Sequence, residues 1–337
     1  MTSTTQTKTS SIHLNGAREP DSLNVDLTYL QDLPKNKHQP LDFEVEYLFG
    51  TKDADTRKLN VSNVRSLNGN GKDDGLDLEN AGFQYIGHHS DFLANLRNCG
   101  KDVTDNDLVT KEMWVETYGK ELESVLRNAT PDKKVQHFQV LNHVIRNAPR
   151  ATDEEKQSAA NSDPNAAGTA PPAPRVHIDI ANRTSRSKIS SMFGEEQEAE
   201  WRQEGRRTMF FSFWRPLETV QRDPLGVCDA RTFNAKEVVR MNRTFPDLVV
   251  QDQPQEVLLV QAAASGETGC KHQWYWMKDQ TVDDLLIIKL HDSEGKAEED
   301  FSAPVRSAPH SSFVIPGTED KPTRKSVEMR AVVIFEE

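Results

Sequence analysis

A histidine and an aspartate lie two residues apart in PRVHIDIANRTS, the stretch from Pro174 to Ser185. If this stretch is a strand, His177 and Asp179 project from one face, because successive side chains alternate between the two faces. The β-branched residues around them, such as Ile178, would anchor the opposite face in a core. An imidazole and a carboxylate placed in this way supply two ligands of a 2-His-1-carboxylate facial triad, which holds Fe(II) and leaves coordination positions open. The competing interpretation is a hydrogen-bonded pair with a structural role.

A second histidine from a later strand must complete such a site. SAPHSSF places His310 after a proline, at the start of an apolar stretch. Its main rival is His272 in KHQWYW, which precedes an aromatic stretch. Five further histidines fit surface, supporting or packing roles, because they lie upstream of the β-rich half, in an acidic turn or in a stretch with helical periodicity. They are His88, His89, His291, His137 and His143.

A cation that could hold an acidic ligand follows His310. RKSVEMR begins fourteen residues later and places Arg324 and Ser326 on one strand face. A guanidinium grips a carboxylate through two parallel hydrogen bonds, and the hydroxyl adds a donor beside it. This pair suits the distal carboxylate of 2-oxoglutarate. Arg330 shares the face and is the alternative clamp, while the competing interpretation of Arg324 is an ordinary surface arginine.

Aromatic residues could line a substrate pocket near these groups. Trp214 and Arg215 lie in FWRPL. Trp214 either borders the pocket or packs in the core. Arg215 either borders the pocket or pairs with an acidic neighbour. Trp274 and Trp276 share a strand face. The default interpretation is that they pack in the core, and the more specific one is that they line the pocket. Phe335 is a further pocket candidate.

The second half of the chain has the pattern of a β-domain. Short β-branched or aromatic runs alternate with Gly, Pro, Asp and Ser, as in a sandwich, jelly roll or barrel. The runs are RVHIDIA, RTMFFSFWRPL, VLLVQAAA, HQWYWMK, DDLLIIKLHDS, SSFVIP and SVEMRAVVIF. Short helical turns are predicted at KISSMFGEEQEAEWRQEG and FNAKEVVRMN. We therefore predict a mainly β fold with helical bracing around a jelly-roll core.

The first half divides into three parts. Residues 1–40 are predicted to be a surface arm, because they are polar and lack periodicity. Residues 41–150 begin with a strand, FEVEYLFG, and continue as a helical layer that includes DFLANLRNCG, TKEMWVETYGKELESVLRN and KKVQHFQVLNHVIRN. Residues 151–174 have the composition of a mobile loop and are a candidate lid by position. Residues 175–337 form the β core, and the whole is one integrated domain.

Composition narrows the possible partners. The chain has 53 Asp and Glu against 41 Lys and Arg, a net charge of -12, which disfavours nucleic acid. Three cysteines without CxxC spacing fit reduced thiols, and no run of eighteen apolar residues suggests a membrane span. Neither a glycine-rich nucleotide loop nor a GxSxG elbow occurs. We expect a cytoplasmic protein that binds a small molecule, and make no prediction of oligomeric state.

Five motifs together carry a family resemblance. In order they are VHID, FWRPLETVQRDPLGVCDART, HQWYWMKDQTVDDLLIIKLHDS, SAPHSSF and RKSVEMR, and they span roughly 175–335. The sequence resembles the fungal gibberellin desaturase-like group of Fe(II)/2-oxoglutarate oxygenases, which is similar to cephamycin 7-alpha-methoxylation proteins. The resemblance implies a cupin-like double-stranded β-helix with His177, Asp179 and His310 on iron and Arg324 on 2-oxoglutarate.

The resemblance also implies a reaction class. O2 and 2-oxoglutarate would be consumed to oxidise a small or medium natural-product precursor, by hydroxylation, desaturation or oxidative cyclisation, in fungal secondary metabolism. An amino acid such as valine is one candidate substrate. The alternatives are a non-catalytic β-sandwich protein that binds small molecules, and a methyltransferase.

Overall fold

The computed structural model describes residues 21–32, 41–42, 52–105, 108–150, 171–243, 255–263, 269–294 and 307–336. Within these ranges the strands are β1 Ser22–Leu30, β2 Leu41–Asp42, β3 Ala54–Asn63, β4 Phe83–Gly87, β5 Val135–Arg146, β6 His177–Ile178, β7 Thr208–Pro216, β8 Leu225–Cys228, β9 Val238–Arg243, β10 Gln255–Val260, β11 Trp274–Trp276, β12 Asp284–Asp292, β13 His310–Ser312 and β14 Ser326–Phe335. The helices are α1 Asp91–Asn98, α2 Gly119–Ala129, α3 Asn182–Phe193 and α4 Glu195–Gln203, with a π-helical turn at Met113–Tyr118 before α2.

Two sheets form the body of the protein. The larger has the order β1-β3-β11-β8-β13-β6-β10-β9-β2, and the smaller has the order β4-β12-β7-β14-β5. Most pairs are antiparallel, whereas β11 runs parallel to β3 and β2 runs parallel to β9. In the smaller sheet the register between β7 and β14 is continuous, whereas the pairing of β14 with β5 shifts after Arg330 and after Ile334.

An apolar core fills the space between the sheets. Phe210 and Trp214 from β7, Val227 from β8 and Ile288 from β12 all belong to it. Strand β12 is buried along almost its whole length, since its run DLLIIKLHD has apolar residues on both faces. The two sheets therefore enclose an interior in which polar side chains are costly unless they are paired.

Each sheet also packs on its outer face. Helix α1, which Ser90 caps through a 3.2 Å hydrogen bond from Leu93 N, and helix α2 cover the smaller sheet. Trp114 and Tyr118 from the π-helical turn are fully buried in this layer. On the larger sheet, Ile178 packs in a separate cluster on the face opposite to His177.

One predicted element is wrong. KKVQHFQVLNHVIRN was expected to extend the helical layer, but residues 135–146 form β5, the edge strand beside β14. Its apolar residues match both periods, and the β-branched Val135, Val140, Val144 and Ile145 favour a strand that pairs over its full length. His137 and His143 are therefore strand residues rather than helical ones.

Other predicted elements have mixed outcomes. Residues 22–30 of the predicted arm form β1, which pairs with β3 along its whole length. FNAKEVVRMN contains only a short 3₁₀ turn at Ala235–Glu237 before β9 begins. The strand predicted at residues 43–50 and the candidate lid at residues 151–170 lie outside the described residues. Among the helices of the described chain, none is both long and apolar enough to cross a membrane.

Candidate metal centre

Two neighbouring strands present the histidines. His177 begins β6 and His310 begins β13, and the two residues are directly opposite one another in the antiparallel pair. Their ring centroids lie 4.4 Å apart. Both side chains are about 4% exposed, so the larger sheet holds two imidazoles at one point of the interior.

Asp179 completes the group from just beyond the end of β6. Its Oδ1 lies 3.7 Å from His177 Nε2, and its Oδ2 lies 3.5 Å from His310 Nε2. The three ligand atoms all lie within 4.8 Å of one another, and no other cluster of this kind occurs in the described ranges. The spacing of HID therefore has the consequence expected of it: both polar side chains point to the same place.

Backbone carbonyls fix the orientation of both imidazoles. His177 Nδ1 donates a hydrogen bond to the carbonyl oxygen of Arg175 at 2.7 Å, and His310 Nδ1 donates to that of Ala308 at 3.3 Å. A carbonyl can only accept, so the proton sits on Nδ1 and the lone pair of Nε2 points toward Asp179. Metal-binding histidines are held in this way by a partner on the other nitrogen.

The protonation of the buried groups bears on their ability to bind a metal. Burial, together with the neighbouring His310, lowers the pKa of His177 to about 3, which keeps the imidazole neutral. Burial alone would raise the pKa of Asp179, but Arg330 and the imidazoles hold it well below its usual range. Burial likewise opposes protonation of His310, yet the hydrogen bond that a protonated Nε2 would donate to Asp179 raises the pKa of His310 overall. Two imidazole nitrogens and an ionised carboxylate, close together and dry, fit Fe(II).

An ion-pair network surrounds the carboxylate ligand. Arg330 Nε donates to Asp179 Oδ2 at 3.2 Å, and Arg330 Nη2 lies 2.9 Å from Glu328 Oε1. The hydroxyl of Ser212 donates to the same Glu328 oxygen at 2.9 Å, and Arg146 lies 4.0 Å from the other. All of these groups are at least largely buried. Arg330 is therefore bound to two carboxylates.

Arg324 and Ser326 have a different environment. They are 3% and 1% exposed, and Arg324 lines a small cavity together with His177, His310 and Trp214. Its Nη1 donates to the backbone carbonyl of Asp223 at 2.7 Å, and its guanidinium lies 5.4 Å from the ring centroid of Trp214. Within the described residues, neither Arg324 Nε nor Ser326 Oγ has a hydrogen-bond partner. Burial, reinforced by nearby Arg146, lowers the pKa of Arg324 to about 9.

The remaining pocket candidates are dispersed. Trp214 borders the cavity, but Arg215 points to the other side of β7, where it donates to Tyr118 Oη at 2.7 Å. Trp274 and Trp276 pack in the outer cluster of the larger sheet, as their default interpretation has it. Phe335 packs under the helices on the outer face of the smaller sheet. The structure thus brings Trp214 to the centre, and not the other four.

The competing histidines also lie elsewhere. His272 is bound between Tyr29 and Glu237 on the outer face of the larger sheet. His88 accepts a hydrogen bond from Arg215, and the exposed His89 pairs with Asp283. The other three contact aromatic rings or a hydroxyl: His291, His137 and His143.

Residues near the centre were also missed. Glu328 lies between Ser326 and Arg330 at the same strand parity, so the sequence contained that signal. Arg146 could not be placed, because its segment was predicted to be helical. Ser212 carries no signal of its own in the run TMFFSFW.

Comparison with known proteins identifies the family of the chain. Residues 27–334 match the family model described as Oxidoreductase/YMDC permease-like domain. The chain is 30% identical over 296 residues to alpha-ketoglutarate-dependent dioxygenase phiK of Fungal sp. (strain ATCC 74256), covering 87% of this chain and 89% of that protein. The chain belongs to this family of Fe(II)/2-oxoglutarate-dependent oxygenases.

Further relatives agree with the resemblance read from the motifs. Over 132 residues, which are 39% of this chain and 36% of that protein, the chain is 36% identical to the Gibberellin cluster GA4 desaturase of Gibberella fujikuroi. The solved structure of the iron and alpha-ketoglutarate-dependent endoperoxidase NvfI has a TM-score of 0.65 and 20% identity, and covers 94% of this chain and 98% of that chain. This likeness confirms the mainly β fold with a jelly-roll core.

Family membership confirms the predicted class of enzyme and its cofactors. Fe(II)/2-oxoglutarate oxygenases are oxidoreductases that use Fe(II), 2-oxoglutarate and O2, and they act on small molecules. These relatives support neither the non-catalytic binding protein nor the methyltransferase. The donor set of His177, Asp179 and His310 is chemically suited to that iron.

Proposed function

We propose that this oxygenase oxidises a small or medium natural-product precursor in fungal secondary metabolism, with His177, Asp179 and His310 as its iron ligands. The observation that carries the assignment of the ligands is the convergence of their three donor atoms within 4.8 Å. The backbone partners of both Nδ1 atoms support it, because they leave each Nε2 available as a ligand.

We assign 2-oxoglutarate to Arg324 and Ser326 rather than to Arg330. Arg330 already pairs with Asp179 and Glu328, whereas Arg324 forms no ion pair within the described residues. A buried guanidinium without a carboxylate is costly, and a carboxylate ligand would offset that cost. Ser326 adds a hydroxyl donor that has no partner in the described part of the chain. Ser326 begins β14 and Arg324 lies two residues before it, where Arg324 lines the same cavity as the two histidines.

The chain positions groups and excludes water. When bound, Fe(II) and 2-oxoglutarate supply the oxidising power by which O2 breaks a C–H bond of the substrate. Arg175 and Ala308 hold the imidazoles through their carbonyls, and Arg330 holds the carboxylate of Asp179. Since these side chains are largely buried, competing solvent is kept from the centre.

The names of several relatives guide the choice of reaction. Several are called hydroxylase/desaturase, including those of Cercospora beticola and Hormonema carpetanum. We propose hydroxylation, desaturation or oxidative cyclisation of a small precursor, for instance an amino acid such as valine. The acidic net charge of -12 supports a small-molecule partner over nucleic acid, and we place the reaction in the cytoplasm.

An anaerobic titration tests the assignment of residues. Fe(II) and then 2-oxoglutarate are added to metal-free protein, and the weak visible charge-transfer band of the chelated complex is recorded. We expect the band in the wild type, its loss in Asp179→Ala and His310→Ala, and a weaker band at equal 2-oxoglutarate in Arg324→Ala. Asp283→Ala is the matched control, because it breaks an exposed His–Asp pair at His89.

Two results would contradict the proposal. A band that persists in Asp179→Ala would remove this residue from the ligand set. A band that weakens in Arg330→Ala but not in Arg324→Ala, with iron affinity unchanged in both, would show that Arg330 binds 2-oxoglutarate instead of Arg324.

A further inference from the structure

A second buried cluster lies on the face of the larger sheet opposite to His177. We call it the Tyr29 cluster, after the hydroxyl at its centre. It consists of Tyr29, Glu237, Cys270, His272 and Trp274. Tyr29 belongs to β1 and Trp274 to β11, and the cluster has no residue in common with the metal centre.

The Tyr29 hydroxyl has three neighbours and three hydrogen-bonding positions. Trp274 Nε1 lies 2.8 Å away, His272 Nδ1 2.9 Å and Cys270 Sγ 3.7 Å. A phenolic hydroxyl has one proton to donate and two lone pairs to accept with. An indole nitrogen can only donate, so Trp274 takes one lone pair. One proton and one lone pair remain for Cys270 and His272, so one of them must donate to the hydroxyl while the other accepts from it.

Glu237 fixes the other side of the imidazole. His272 Nε2 lies 3.0 Å from Glu237 Oε2, and that carboxylate oxygen also accepts a 2.7 Å hydrogen bond from Asn234 N. A carboxylate accepts, so Nε2 keeps its proton in either arrangement of the cluster. Only Nδ1, which faces Tyr29, is able to gain or lose one.

Two arrangements satisfy every partner. In the first, the Cys270 thiol donates to the Tyr29 oxygen, and the Tyr29 hydroxyl donates to a neutral His272. In the second, protonated His272 donates to the Tyr29 oxygen, and the hydroxyl donates to a Cys270 thiolate. They interconvert when the sulfur proton moves to the Tyr29 oxygen as the Tyr29 proton moves to Nδ1, with no change in total charge.

We propose that Cys270 is a reactive thiol whose proton passes through Tyr29 to His272, and that it is a site of covalent modification by peroxide. Its thiolate would attack one oxygen of hydrogen peroxide, forming an S–O bond as the O–O bond breaks. Sulfur is oxidised to the sulfenic acid and, with the proton held by His272, the other oxygen leaves as water. Hydrogen peroxide is the only co-reactant.

Electrostatics and access support the assignment. Burial would raise the pKa of Cys270, but the nearby His272 and Tyr29 lower it overall, while the proximity of Cys270 and Glu237 raises the pKa of His272 to about 9 despite burial. A thiol beside a protonated histidine is the usual setting of a reactive cysteine. Cys270 is half-buried and so reachable, whereas Cys228 nearby is fully buried with its pKa raised. Electrostatics also couples Cys270 to Arg57 and to the thiol of Cys228.

Alkylation with iodoacetamide measures the thiolate directly. The full-length protein is labelled between pH 6 and pH 9.5, and each cysteine is quantified by peptide mass spectrometry. Dividing each rate by the rate of the same cysteine at pH 9.5 removes differences in access. Cys99 is the internal control, since its thiol is exposed. At pH 6.5 we expect the normalised rate of Cys270 to exceed that of Cys99 by at least about tenfold.

Substitutions test the relay itself. Tyr29→Phe removes the hydroxyl and should lower the normalised rate of Cys270 at pH 6.5 to that of Cys99. Tyr85→Phe is the matched control, because this hydroxyl is buried and has no partner in the described residues. If Tyr29→Phe does not fold, His272→Gln replaces it with the same expectation, since an amide cannot take the proton. Dimedone labelling after hydrogen peroxide should mark Cys270 in preference to Cys99.

Three results would overturn the proposal. They are a pH profile of Cys270 that coincides with that of Cys99, an absence of alkylation at Cys270 up to pH 9.5, and an unchanged profile in folded Tyr29→Phe protein. The profile of the wild type decides the first two without any variant.

Discussion

A histidine lies beside a carboxylate on each face of the larger sheet, and the two pairs have opposite protonation. In the interior, His177 Nε2 lies 3.7 Å from Asp179, and the pKa of His177 falls to about 3. On the outer face, His272 Nε2 lies 3.0 Å from Glu237, and the pKa of His272 rises to about 9. Both imidazoles are buried, so burial alone does not explain the difference.

The difference lies in what faces each nitrogen. Asp179 is shared with His310 and Arg330, so little of its charge remains for His177, which also faces a second imidazole. Among the described histidines, Glu237 faces His272 alone, and Cys270 is a second group that favours protonation of His272. The shared Asp179 therefore leaves the lone pair of His177 available for a metal, whereas Glu237 favours a proton on His272.

The largest expected effect is on Fe(II) affinity, which should depend on Asp179 and not on Glu237. Asp179→Asn keeps the shape of the side chain but removes its charge. It should weaken Fe(II) binding by more than about 100-fold, which is a larger loss than the removal of a residue that only supports a metal ligand would cause. Glu237→Gln should leave Fe(II) affinity unchanged. Anaerobic calorimetry on both metal-free variants measures this. Equal losses would mean that the outer pair also supports the centre.

The next effect is on stability against pH. The pKa of His272 in the folded protein, about 9, lies above its unfolded value of 6.5. Its contribution is therefore fully present below pH 6.5 and is lost as the pH rises to 9. The difference in unfolding free energy between wild type and His272→Gln should shrink over this range by up to about 3 kcal/mol. Urea denaturation at pH 6 and pH 9.5 measures it, and a difference that grows with pH would reverse the assigned protonation.

Sequence reasoning located the inner site better than the outer one. His177, Asp179 and His310 were predicted because strand alternation puts HID side chains on one face and because the later motifs follow in order. His272 was considered only as a rival ligand, and its hydrogen-bond partners Tyr29 and Glu237 lie 243 and 35 residues earlier in the chain. No spacing rule joins Tyr29 to His272, since β1 reaches β11 only through β3.

Local ambiguity limited the prediction elsewhere. The segment of β5 has apolar residues that fit both a helix and a strand, and pairing with β14 decides between them. That error concealed Arg146, which comes to Glu328 only once β5 is a strand. Arg215 and Phe335 were pocket candidates, but alternation along β7 and β14 turns both away from the interior.

A smaller effect tests the sharing of Asp179. Arg330→Gln removes the cation that holds this carboxylate, and should weaken Fe(II) binding by about 10 to 100-fold, as loss of a supporting residue does. Arg330→Lys restores the charge and should recover part of the loss. Calorimetry with Fe(II) and a separate titration with 2-oxoglutarate distinguish this role from a clamp. Normal iron affinity with weakened 2-oxoglutarate binding would make Arg330 the clamp instead.

The smallest expected effect concerns two tyrosine hydroxyls. Tyr29 is bound to three partners, so Tyr29→Phe should cost about 1 to 3 kcal/mol of unfolding free energy, because Trp274 Nε1 loses its acceptor in a buried place. Tyr85 Oη is buried and has no hydrogen-bond partner within the described chain. Tyr85→Phe therefore removes a polar atom without breaking a hydrogen bond. Its unfolding free energy should change by less than about 0.5 kcal/mol or rise slightly. Urea denaturation compares the two, and an equal loss in Tyr85→Phe would mean that the interior hydroxyl also has a partner.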